Sequence, residues 1–98
     1  MTRLYDIDGA ERRALDAIAD FRGKRVLEVG CGDGRLTWGY APEAASVLAI
    51  DTDEEAITTA RREQPRELSD RVEVRVESAV ELDEPPASFD TAFFSWSL

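Results

Sequence analysis

Residues 26–37, V-L-E-V-G-C-G-D-G-R-L-T, hold the side chains and spacing best suited to chemistry. Glycines stand at alternate positions, Gly30, Gly32 and Gly34, and Glu28 precedes the first by two. Without a Cβ, such a turn can bring backbone close to something flat or charged. A second acid, Asp51, ends the next apolar run, 17 positions after Gly34. A carboxylate at a strand end can accept charge-assisted hydrogen bonds. The chain has no histidine, the commonest general base, and one cysteine, Cys31, so no internal disulfide. Cys31 reads as a small filler of the turn and Asp33 as a turn residue. The pattern points to ligand binding, and no residue reads as a catalytic acid or base.

The surrounding elements must hold that turn in place. Residues 24–29 read as the first strand, its apolar residues Val26, Leu27 and Val29 nearly continuous, as in a central parallel strand covered on both faces. The glycine turn then opens a short helix over 34–41, limited by Pro42 and weakened by Gly39. Residues 46–50 (S-V-L-A-I) form a second buried strand that runs into Asp51. A helix over 53–63 follows, capped by Thr52 or Asp53, with Glu54 and Glu55 in its first turn and Arg61 and Arg62 in its last. Val72, Val74 and Val76 alternate with charged residues, which fits an edge strand with one wet face. Residues 81–88, with Pro85-Pro86, read as a loop, and residues 89–94 (F-D-T-A-F-F) as a fourth, largely buried strand. Before all of these, Ala10, Ala14, Ala17, Ile18 and Phe21 make an apolar helical stripe over 9–21, with Asp8 and Glu11 as a capping box and Gly23 as the stop. Strands alternating with helices imply a parallel sheet with right-handed crossovers.

Composition sets the bounds. Ninety-eight residues make one domain, 1–98, and 43% apolar residues suffice for one modest core. A net charge of −9 argues against a general nucleic-acid or anionic-membrane surface. No apolar run approaches the ~20 residues of a membrane span, and the first residues lack a signal-peptide core. With the lone cysteine, these features give an expected cytoplasmic location.

The combination E-V-G-C-G-D-G-R-L-T, Asp51, Ser78-Ala79 after the third strand, and S-F-D-T-A-F-F at 88–94 resembles the class I S-adenosylmethionine (AdoMet)-dependent methyltransferases. The resemblance covers roughly residues 5–98. It implies an α/β, Rossmann-like three-layer α/β/α fold with a mainly parallel sheet, and strands in the order 3-2-1-4. It implies that AdoMet is the cofactor and S-adenosylhomocysteine (AdoHcy) the product. It implies a cofactor-binding set of Glu28, Gly30, Cys31, Gly32, Gly34, Asp51, Thr52, Ser78, Ala79 and Ser95. In that set Asp51 takes the ribose hydroxyls, and Glu28 holds the loop and the ligand's ammonium group, directly or through water. Thr52 lies against the adenine, and Ser78-Ala79 meet its edge. The family usually has Asp at 78 and a large apolar residue at 52, so Ser78 and Thr52 imply weaker binding. A nicotinamide or flavin domain also places an acid at the end of its second strand, but its G-x-G-x-x-G pattern has the third glycine one residue later.

Complete family members continue the sheet with three more strands. The resemblance therefore makes this chain the cofactor-binding part of a methyltransferase acting on a small-molecule acceptor, expected to bind without turnover. The planar-nitrogen signature Asn/Asp-Pro-Pro-Tyr is replaced here by Ser95-Trp96-Ser97-Leu98. Trp38, Tyr40 and Trp96 read as packing residues. Phe93 and Phe94 lie in a strand with no successor, so its outer edge is expected to be uncovered and to pair with another copy or a partner chain. The alternative from another class is a non-catalytic binding or interaction module that keeps the pocket. An NAD-binding fragment is the third reading.

Overall fold

The computed structural model describes residues 21–84 and 88–95 with their side chains, and residues 3–7 as a backbone path. The expected helix over 9–21 falls outside the described residues except for Phe21, as do Pro85-Pro86 and Trp96. The described chain runs β1 (Arg3–Ile7), β2 (Arg25–Val29), α1 (Arg35–Tyr40), β3 (Ser46–Asp51), α2 (Glu54–Glu63), β4 (Val72–Val76) and β5 (Thr91–Ser95). The strands form one parallel sheet in the order β1-β5-β2-β3-β4. The expected order 3-2-1-4 is present as β4-β3-β2-β5, and the fold is Rossmann-like α/β.

One expectation is overturned. The outer edge of β5 is not left uncovered, because β1 pairs with it in parallel, Arg3 opposite Thr91 and Ile7 opposite Ser95. β5 is thus an interior strand between β1 and β2. The segment Arg-Leu-Tyr-Asp-Ile holds two residues that favour strands, Tyr5 and Ile7, but five residues are too few to show a period.

Side-chain alternation divides the sheet into two faces. Val26, Val47, Ala49, Val72, Val74 and Phe93 point to one face, where Ile57 and Ala60 of α2 and Tyr40 of α1 cover them. Phe21, Tyr40 and Phe93 make a ring trio with centroids 4.8–5.3 Å apart. The packing reading of Tyr40 and Trp38 is borne out, since both join this core. Val26, Ile50, Ile57 and Phe93 are fully buried. Each such side chain stabilises the fold by about 1.5–3 kcal/mol. Leu27, Leu48 and Ile50 point the other way and meet Val29, Leu82, Phe89 and Ala92.

Local signals account for the helix limits. Asp53, not Thr52, caps α2, its Oδ1 accepting from the Glu55 and Ala56 amides at 3.0 and 3.2 Å. Pro42 sits in a 3-10 turn, Ala41–Glu43, that ends α1. β4 is an edge strand as expected, with Glu73 and Arg75 on its wetter face. Val76 departs from the alternation and is 44% exposed at the strand's end. Among the described residues no helix is long and apolar enough to cross a membrane.

Candidate functional site

The carboxyl ends of β2, β3, β4 and β5 meet on one side of the sheet, the side where open α/β sheets bind ligands. The glycine turn leaves β2 there. Gly30 has φ +84°, and a Cβ on it would stand 2.6 Å from the Ser95 carbonyl oxygen, so the turn and the end of β5 are at closest approach. At Gly34, φ is +87° and a Cβ would strike the Trp38 ring at 2.5 Å. These two glycines are fixed by both φ and space.

Hydrogen bonds lock the turn onto β3. The Gly30 and Cys31 amides donate to the Ile50 carbonyl at 2.7 and 3.1 Å. The Gly32 amide donates to Asp51 Oδ2 at 2.8 Å, and the Asp53 amide to Asp51 Oδ1 at 2.9 Å. The Gly34 amide donates to the Cys31 carbonyl at 3.1 Å. The Arg35 amide, at the start of α1, donates to Asp33 Oδ1 at 3.2 Å. These N–H groups are therefore spent inside the protein, which is the reverse of a phosphate cradle.

A cleft of about 380 Å³ opens between the strand ends. Gly30, Asp51, Thr52, Ser78, Ala79 and Ser95, all expected at the site, line it together. Val29, Asp53, Ala56 and Glu77 line it too and escaped the sequence reading. Asp53 and Ala56 follow from the position of α2's first turn, beside Asp51. Glu77 follows from the end of β4, its amide donating to the Asp51 carbonyl at 3.0 Å. The lining holds three carboxylates and no cationic side chain. Each Asp51 oxygen takes one backbone N–H, so each keeps a second lone pair for a hydroxyl. The Ser78 hydroxyl donates to Glu81 Oε1 at 3.2 Å.

The remaining expected residues lie elsewhere. Gly32 lines a shallower neighbouring cleft with Asp33, Arg35, Asp53 and Glu55. Cys31 is buried, its Sγ 3.7 Å from the Gly32 carbonyl, and burial pushes its thiol pKa up, so it fills space. Gly34 sits behind Trp38. Glu28 is 0% exposed and faces the helix-covered core. Its Oε1 accepts from Thr37 Oγ1 at 2.6 Å and from the Tyr40 hydroxyl at 2.7 Å. Its Oε2 is hydrogen-bonded to Ser95 Oγ, which is also 3.1 Å from the Gly30 carbonyl. Burial raises the Glu28 pKa, the three hydroxyls pull against that rise, and Asp51 adds to it.

Comparison with known proteins gives this arrangement its family. A family model described as a methyltransferase domain matches residues 26–98. The chain is 41% identical over 91 residues to a ubiquinone biosynthesis O-methyltransferase of Neisseria meningitidis serogroup C, covering 89% of this chain and 37% of that protein. It is 38% identical over 88 residues to the protein of that name from Dechloromonas aromatica, covering 89% and 38%. A crystal structure of an S-adenosylmethionine-dependent methyltransferase from Mesorhizobium loti superposes with a TM-score of 0.72 at 30% identity, covering 91% and 40%. The chain thus spans about two fifths of the length of these relatives. With its turn, its strand order and its cleft, the chain belongs to the class I S-adenosylmethionine-dependent methyltransferase domain family.

Proposed function

We propose that the cleft binds AdoMet and that the chain is the cofactor-holding part of an enzyme that methylates a small molecule. The observation that carries this reading is the joint lining of one cleft by Gly30, Asp51, Thr52, Ser78, Ala79 and Ser95, with carboxylates and no cation. AdoMet carries a sulfonium, an ammonium and ribose hydroxyls, which suit such a lining. A dinucleotide carries a diphosphate. It would meet Asp51, Asp53 and Glu77, a turn whose Gly30, Cys31, Gly32 and Gly34 amides are already spent, and Asp33 at the start of α1. Charge and hydrogen-bond supply therefore both favour AdoMet over NAD.

In this reading Asp51 accepts from the ribose hydroxyls with its outward lone pairs. Thr52 and Ala79 border the base, and Ser78 offers a weaker acceptor than the family's usual Asp. Bound AdoMet would supply an electrophilic methyl group on sulfur. The chain's own part is to hold and orient that donor for an in-line displacement, a step that depends on positioning more than on a base. The named relatives are O-methyltransferases, which supports an oxygen acceptor on the small molecule.

Calorimetric titration of AdoMet and AdoHcy into the chain, with NAD as control, tests this. Saturable binding that weakens by about tenfold or more in Asp51→Ala is expected, matching the loss of a charge-assisted bidentate contact. NAD binding more tightly than AdoHcy, or a folded chain that binds neither, would overturn the reading.

A further inference from the structure

Glu28 belongs to the glycine motif, yet the cleft does not reach it, and the proposed binding gives it no task. Its surroundings are countable. From α1 come the hydroxyls of Thr37 and Tyr40, both to Oε1. From β5 come the Ser95 hydroxyl, to Oε2, and the cross-strand neighbour Phe93. β3 contributes the neighbour Ala49 and, farther along, Asp51. The turn contributes Cys31. No arginine or lysine among the described residues pairs with this carboxyl, and the ionisable groups around it, Asp51, Cys31 and Tyr40, are acids.

Hydrogen atoms decide between the two forms of the carboxyl. If it is ionised, the three hydroxyls give it three hydrogens. The Ser95 hydrogen is then consumed at Oε2, and the Gly30 carbonyl, 3.1 Å from Ser95 Oγ, receives nothing from it. If the carboxyl holds a proton on Oε2, that proton goes to Ser95 Oγ and the Ser95 hydrogen goes to the Gly30 carbonyl. Each of the four contacts then has one donor and one acceptor. A neutral acid also avoids placing an unpaired charge in a fully buried site.

We propose that Glu28 carries a proton and acts as a positioning residue: through Ser95 it fixes the first carbonyl of the glycine turn against the end of β5, and with it that wall of the cleft. Gly30 and Ser95 both line the cleft and approach each other more closely there than a Cβ would allow. A chain of Glu28 to Ser95 to Gly30 hydrogen bonds sets that spacing. The burial that raises the Glu28 pKa acts in the same direction.

Two measurements on the 98-residue chain test this, and only the second rests on the AdoMet reading. Infrared difference spectra of the wild type against Glu28→Gln at pH 7 should show a protonated-carboxyl C=O band that the variant lacks. A folded wild type without that band overturns the proposal. In AdoHcy titrations, Glu28→Gln, whose amide can donate to Ser95, should stay within about threefold of wild type, while Ser95→Ala and Glu28→Ala lose about tenfold or more. A folded Glu28→Gln that loses AdoHcy as fully as Asp51→Ala shows a carboxylate that touches the ligand and overturns the positioning role. If the wild type itself fails to bind AdoHcy, the functional reading falls, and the infrared band still decides the state of Glu28.

Discussion

Strands β2 and β5 are tied together twice by a carboxyl group, once at each end, and the two ties work by different physics. At the amino end, Asp90 just before β5 grips Arg25 at the start of β2. Its Oδ2 accepts from the Arg25 amide at 2.9 Å and from Nε at 3.1 Å, and Oδ1 accepts from Nη2 at 3.0 Å. The Asp90 amide returns a bond to the Arg25 carbonyl at 2.7 Å. That fork is wet and charged, and it holds the Asp90 carboxyl well below the usual carboxylate range. At the carboxyl end, Glu28 of β2 meets Ser95 of β5 in a dry site with hydroxyl partners and no cation. Water screens the first tie, so it contributes mainly geometry. Exclusion of water makes the second depend on having every hydrogen placed.

The comparison is broken most severely by Glu28→Ala. It leaves the buried hydroxyls of Thr37 and Tyr40 without their acceptor and Ser95 without its donor, and it opens a cavity, so a loss of about 3 kcal/mol or more is expected in urea unfolding. A loss below about 1 kcal/mol would mean the hydroxyls find water instead.

The pH dependence sharpens the contrast. Glu28 has a raised pKa in the fold, from an ordinary 4.5. Its contribution is therefore complete below about pH 4.5 and is lost as pH rises through the folded value, by up to about 1.4 kcal/mol per pH unit. Thermal scans of wild type and Glu28→Gln should show the variant gaining on wild type from pH 5 upward. A difference that stays flat over that range would place a charge on Glu28.

Gly30→Ala tests the wall that Ser95 shares. A Cβ would meet the Ser95 carbonyl at 2.6 Å and impose φ +84° on an L-residue. A cost of about 1–3 kcal/mol is expected, with weaker AdoHcy binding in the same protein. Asp90→Asn should have the smallest effect, and 1 M salt should erase most of it. Asp90 has a lowered pKa, so the wild type's advantage is present above the ordinary 3.8 and disappears as pH falls through the folded value. An advantage that persists in strong acid would mean the tie does not depend on charge.

Much of this was legible in the chain itself. The apolar runs that became β2 and β3, the alternation of β4 and the cap-and-charge pattern of α2 are local signals, and each fell where expected. Asp51, Thr52, Ser78 and Ala79 share a cleft because a parallel sheet brings strand ends together. Two features were not legible. β1 is five residues long, and its pairing with β5 is a long-range choice that no local pattern announces. The resemblance gives Glu28 the loop and the ligand's ammonium group to hold, directly or through water, and no local pattern announces its buried hydroxyl partners. Those partners lie 9, 12 and 67 residues away. Thr37 and Tyr40, three apart on one face of α1, were the available hint of a polar site under that helix.

The place of β5 has a consequence in time. Thr91 lies between Arg3 on one side and Val26 on the other, so neither neighbour of that strand is close to it along the chain. During synthesis, β2 and β3 leave the ribosome on the order of several seconds before β5, at ordinary elongation rates. Through that interval one apolar flank of β2 has no mate, and the N-terminal segment has nothing to pair with. These strands join only when β5 slides between two made earlier. Such non-local closure is slow.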